Sequence, residues 1–91
     1  MYLNLGRAYG QHRNDLTQAK DKLEIALQLE PNNYEVLRNL GIVYGLSTSY
    51  NKAIEVLQRA IQIRPDIAEN YIDLGVSYYN IGDKVKAKAY L

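Results

Sequence analysis

The chain has 91 residues, with 11 Lys or Arg against 10 Asp or Glu and a formal net charge of +1, so it offers no field that would gather nucleic acid or an anionic membrane surface. It has no cysteine, which excludes disulfides and thiolate metal sites but leaves the compartment open, a soluble, cytoplasmic setting being the expectation. A chain of this size is one small domain able to bury roughly two-thirds of its unfolded surface, and no run of about 18 apolar residues is present to cross a bilayer.

Taken in chain order, apolar residues at helical spacing predict helices over 2–11, 16–29, 34–46, 50–63, 67–80 and 84–91, and nothing reads as a strand. Met1-Tyr2-Leu3-Asn4 lacks the basic and apolar regions of a signal peptide and is read with the first helix. The clearest stripes are Leu37, Leu40, Val43 and Tyr44, then Ala53, Ile54, Leu57, Ala60 and Ile61. Helix starts are marked by side-chain oxygens that satisfy free backbone N–H groups: Asp15, Ser49 and Asp83 singly, Asn32-x-x-Glu35 and Asp66-x-x-Glu69 as capping boxes. The turns fall at Gln11-His12-Arg13-Asn14, at Ser47-Thr48-Ser49, and at Gly82-Asp83, where glycine accepts a left-handed backbone.

These elements repeat. Tyr2-x-x-Leu5-Gly6-x-x-Tyr9, Leu37-x-x-Leu40-Gly41-x-x-Tyr44 and Tyr71-x-x-Leu74-Gly75-x-x-Tyr78 are one pattern. Its period is about 34 residues from Gly41 to Gly75, and one more from Gly6 to Gly41. Ala19/Leu23, Ala53/Leu57 and Ala87/Leu91 recur in the same register, followed by Ala26 and Ala60, then Pro31 and Pro65. A period of this length marks a stack of small units that bury a continuous core only together. The small residues let helices approach closely, with Ala53 expected opposite Gly41 and Ala60 against the next unit.

On these residues the whole chain resembles the tetratricopeptide repeat (TPR) family, with Leu37 where the family often has Trp and Leu57 where it often has Phe. The resemblance implies an all-α, right-handed α-solenoid of stacked antiparallel helix pairs, forming one domain over 1–91 with repeats at about 1–33, 34–67 and, in part, 68–91. Both ends are expected to be cut, as in a segment of a longer repeat protein or one that pairs end to end.

The resemblance also implies that the first helix of each unit lines a concave wall that binds a peptide or helix of a partner protein. Its outward positions include Asn4 and Arg7, then Arg38, Asn39 and Ile42, then Ile72, Asp73, Val76 and Tyr79. Asn4, Asn39 and Asp73 are equivalent and form a row. Asparagine carries a donor and an acceptor, so such a row matches a peptide backbone without reading its side chains. Ile42, Ile72, Val76 and Tyr79 give the wall an apolar strip of the kind that marks interaction surfaces. Arg7 and Arg38 suit a carboxylate on the partner, whereas Glu35, Glu69 and Asp73 make the far end acidic. Members that clamp a chaperone's terminal carboxylate use Lys, Asn, Asn, Lys and Arg where this chain has Leu3, Arg7, Asn39, Glu69 and Asp73. Two anions replace required cations, which argues against that ligand.

Catalysis and cofactors find no support in the residues. His12 is the only histidine and sits in a turn without a partner. Gly6, Gly41 and Gly75 are mid-helix rather than in a phosphate-cradling loop, and most tyrosines hold core positions rather than a base-stacking platform. The expectation is a non-catalytic protein-interaction scaffold without cofactor or metal; the alternatives are a self-assembly segment using the unfinished ends, or the substrate-presenting arm of a larger enzyme.

Overall fold

Residues 13–90 are described by a computed structural model, and they form helices and short connections with no strand among them. Helix α1 spans Arg13–Leu29, α2 Tyr34–Leu46, α3 Tyr50–Ile63, α4 Ala68–Asn80 and α5 Lys84–Tyr90. The helix expected over 2–11, and with it Asn4, Gly6, Arg7 and His12, lies outside the described residues. Each helix packs on its neighbours in the chain, and α2 also meets α4 past the intervening α3. Helix pairs therefore stack in chain order as a helical-repeat solenoid, as the period of the sequence requires.

The core follows the apolar stripes. Leu37 and Leu40 of α2, Ala53, Leu57 and Ala60 of α3, and Leu74 of α4 are almost wholly withdrawn from solvent. Fully burying a leucine of this kind contributes about 1.5–3 kcal/mol. Gly41 makes the α2–α3 seam possible, because a Cβ there would lie 2.7 Å from Leu57 Cδ2 and 2.9 Å from its Cγ. The side chain seated on Gly41 is thus that of Leu57, one turn beyond the expected Ala53.

Three helix starts differ from expectation. Helix α1 begins at Arg13, so Asp15 lies inside its first turn instead of capping it, where a carboxylate still favours the positive end of the helix. The cap of α2 is Asn33, whose Oδ1 accepts from the Val36 amide at 3.2 Å; Asn32 stands one residue too early. At α4 the boundary residue is Ile67, with no side-chain cap, because Asp66 is likewise one residue outside. Ser49 does stand at the boundary of α3 but makes no capping bond, whereas Asp83 Oδ1 accepts from the Lys86 amide at 3.1 Å and caps α5.

The two turns between paired helices share one geometry. Gly82 has φ of +90°, and Thr48, its equivalent one unit earlier, has φ of +61°. A left-handed backbone costs an L-residue about 1–2 kcal/mol, and β-branching makes Thr48 a poor occupant. Its hydroxyl donates to the Ser47 carbonyl at 2.6 Å. Thr48→Gly should raise stability by about 1 kcal/mol once the greater chain entropy of glycine is subtracted. Urea unfolding checks this; a lower midpoint would mean the threonine contacts outweigh the strain.

The joints between units also repeat. The Tyr44 hydroxyl donates to Glu24 Oε2 at 2.5 Å, and the Lys52 ammonium sits 5.8 Å from the Tyr44 ring centroid. One unit later, Gln58 Nε2 donates to the Tyr78 hydroxyl at 2.9 Å, with Lys86 5.4 Å from that ring. Glu24 and Gln58 hold equivalent places in successive units, as do Tyr44 and Tyr78, and Lys52 and Lys86. Burial first, then the bond to Glu24 and the charges of Glu24 and Glu55, push the Tyr44 hydroxyl well above the ordinary phenol range. The folded chain then keeps a proton that the unfolded chain releases. Its contribution is full below about pH 10, the unfolded phenol value, and is lost as pH climbs through the raised folded value. Thermal unfolding followed upward from neutral pH should show a steeper alkaline fall for the native sequence than for Tyr44→Phe. Parallel curves would remove Tyr44 from the alkaline transition.

Candidate functional site

Two parallel demands shape the wall made by α2 and α4. Their inner faces must fill the core against α3, so Leu37, Leu40 and Leu74 point inward, and the residues between them are left outside. Asn39 and Ile42 are exposed on α2, and Ile72, Val76 and Tyr79 on α4. Among these, Ile42, Ile72, Val76 and Tyr79 keep 41, 49, 45 and 57 % of their surface in solvent, which is a high exposure for four apolar groups sharing a wall.

Between the helices lies an open groove of about 290 Å³. Helix α2 supplies Gly41, Ile42, Gly45 and Leu46; α4 supplies Asp73, Val76, Ser77 and Asn80; Tyr50 joins the lining from the start of α3. The groove brings together Ile42, Asp73 and Val76 of the expected site residues. Asn39, Ile72 and Tyr79 stand on the same helices beyond its lining, and Asn4 and Arg7 lie outside the described residues. Four lining residues were not foreseen as part of the wall: Gly41, Gly45, Tyr50 and Ser77. For Gly45 a signal existed in the sequence, since the equivalent position of the next unit holds the large Tyr79.

Arg38 and Asp73, expected to face a ligand, face each other. Arg38 Nη1 donates to Asp73 Oδ2 at 2.5 Å, with 21 and 42 % of the two side chains exposed. The pair ties α2 to α4 across the wall and takes Arg38 out of the set of free cations. At this exposure its net contribution is at most about 1 kcal/mol. Asp73 Oδ1 has no partner among the described residues.

The groove has little of what chemistry needs. Among the described residues no group of three or more His, Cys, Asp or Glu side chains is placed to hold a metal ion. Among the described residues, Asp73 is the single charged residue in the lining, and no histidine joins it. No described helix is long and apolar enough to cross a membrane.

Comparison with known proteins agrees with this architecture. A family model described as tetratricopeptide repeat matches residues 1–33, and one described as TPR repeat matches residues 49–82. Among curated relatives, a BBSome complex member BBS4 homolog of Drosophila melanogaster is 31% identical over 87 residues, covering 96% of this chain and 18% of the relative. The peroxisomal targeting signal receptor of Saccharomyces cerevisiae is 32% identical over 79 residues, covering 87% of this chain and 13% of the receptor. BBSome complex member BBS4 of Bos taurus is 35% identical over 66 residues, covering 72% of this chain and 13% of the relative. The chain therefore spans less than a fifth of the length of the curated relatives it matches. Repeats of this kind support a role in protein–protein interaction. With two repeat matches, the regular period and the stacked helix pairs in agreement, the chain belongs to the tetratricopeptide repeat family.

Proposed function

We propose that this chain is a non-catalytic scaffold that binds a peptide segment or helix of a partner protein along the wall formed by α2 and α4. The observation that carries the reading is the open groove between those helices, with exposed Ile42 and Val76 in its lining and Ile72 and Tyr79 beside it. A solenoid positions such a surface without further ordering, so little entropy is lost when a ligand docks. Asn39, exposed on α2, offers a donor and an acceptor to a peptide backbone. The relatives' names support the same class of action: one belongs to a complex and another is a receptor for a targeting signal. They name different assemblies, so what carries over is contact with protein rather than a particular partner. Units at 34–67 and, in part, 68–91 would supply the described wall, and 1–33 its continuation.

A phage-displayed random dodecapeptide library selected on the native chain supplies the ligands for a test. Affinities near micromolar, about −8 kcal/mol, suit a groove of this size. Asn39→Ala combined with Ile72→Ala should weaken the selected peptides roughly tenfold, about 1.4 kcal/mol, with helicity and Tm unchanged because both residues are exposed. Binding at native strength would move the site off this wall.

A further inference from the structure

We infer that Gly45 opens a socket in the groove for one bulky apolar side chain of the partner segment, and that Asp73 selects a lysine or arginine beside it. The inference rests on the groove reading above and adds the identity of the residue pair that is recognised. Three observations support it.

The first is the space. A Cβ built on Gly45 would meet nothing within 4 Å, whereas one on Gly41, a turn earlier in the same helix, would collide with Leu57. Gly41 is therefore needed by the core, and Gly45 is not. The equivalent position in the following unit carries Tyr79, so a glycine here removes a large side chain from the wall.

The second is size and lining. A hollow of about 290 Å³ lies at the lower edge of the range for small-molecule sites, roughly 300–1,000 Å³, and suits a side chain better than a cofactor. Ile42, Leu46 and Val76 give it apolar walls.

The third is charge. Among the described residues, lysine, arginine and histidine are absent from the lining, and its only charged residue is Asp73. Arg38 occupies Oδ2 of that carboxylate, but Oδ1 is unpartnered among the described residues and the side chain stays 42 % exposed. Gly45 and Leu46 also belong to the last turn of α2, the negative end of its dipole. A cationic donor beside the anchor finds the open Oδ1 acceptor and the helix end, while Arg38 offsets part of the carboxylate charge, so the preference over an anion is set by that acceptor and the dipole.

The dodecapeptides selected on the native chain test this directly. Enriched sequences should pair Leu, Ile, Met or an aromatic residue with an adjacent Lys or Arg. Gly45→Leu puts a side chain into the socket from a position whose Cβ meets nothing within 4 Å, and the substitution favours the helix. It should keep or raise Tm while weakening those peptides roughly tenfold or more. Asp73→Asn should abolish the preference for the native peptide over one with Glu in place of the basic residue. Peptides that bind Gly45→Leu at native strength, but lose affinity to the paired Asn39→Ala and Ile72→Ala change, would overturn the socket and leave the groove reading standing. Binding indifferent to both sets of changes, or no enrichment at all, would overturn both. Enrichment of apolar anchors without a basic neighbour would overturn the role given to Asp73.

Discussion

Truncating Leu57 to alanine should cost about 2–5 kcal/mol, the range for large-to-small changes in a close-packed core. Leu57 is 1 % exposed and belongs to the cluster that joins α2, α3 and α4. The informative part of the experiment is its pairing with Gly41. Alanine at Gly41 in the native background drives a Cβ to 2.7 Å from Leu57 Cδ2, and Leu57 is too confined to yield. Overpacking of this kind costs about 1–3 kcal/mol, against which alanine recovers up to about 1 kcal/mol of helix propensity over glycine. Once Leu57 is cut back, the new methyl enters space that the leucine has left, and the same Gly41→Ala change should become neutral or stabilising. A double-mutant cycle by urea unfolding reads this as a coupling of about 1–3 kcal/mol. Additive effects would mean that Gly41 and Leu57 do not set each other's packing.

Asn70 should show two opposite responses. It is wholly buried in the first turn of α4; its Nδ2 donates to the Tyr34 hydroxyl at 2.9 Å, while its Oδ1 is buried with no partner. An orphaned buried acceptor costs about 1–3 kcal/mol, more than the single bond made by the amide nitrogen returns. Val36 stands at the equivalent place one unit earlier, so the backbone there accepts a branched apolar side chain. Asn70→Val is expected to gain about 1 kcal/mol, which for a domain of this size moves Tm up by about 4–8 °C. Asn70→Asp keeps the shape but buries an uncompensated charge, and should lose about 3 kcal/mol at neutral pH with partial recovery on acidification. Calorimetry of the two variants checks both signs. A valine variant less stable than the native chain would show that the bond to Tyr34 outweighs the orphaned oxygen.

The helices were legible because each buries one stripe, and a stripe leaves its period in the sequence: Leu37, Leu40 and Tyr44 lie on one face of α2 and are all in the core. Helix starts were less legible, since Asn32 and Asn33 offer the same oxygen and only the backbone path decides which one turns toward Val36. Asp66 failed for the same reason, one residue ahead of the boundary at Ile67. Within the wall, alternation along α2 and α4 exposed Asn39, Ile42, Ile72, Val76 and Tyr79 to a reading of spacing alone. The Arg38–Asp73 pair was hidden because it depends on the lateral distance between two helices that a third separates in the chain. Asn70 was hidden too: a polar residue near a helix start reads as solvated until the neighbouring unit is laid over it.

The unequal joints have a bearing on how the stack comes apart. If Glu24–Tyr44 and Gln58–Tyr78 were chemically alike, alkali would strain every seam together and the array would melt as a block. Here the first seam sets a carboxylate against a phenol and the second an amide, so a high-pH bath loads one hinge more than the other. The seam between α1 and α2 would then open first, leaving α2–α5 stacked a little longer, like a zip with one weak tooth.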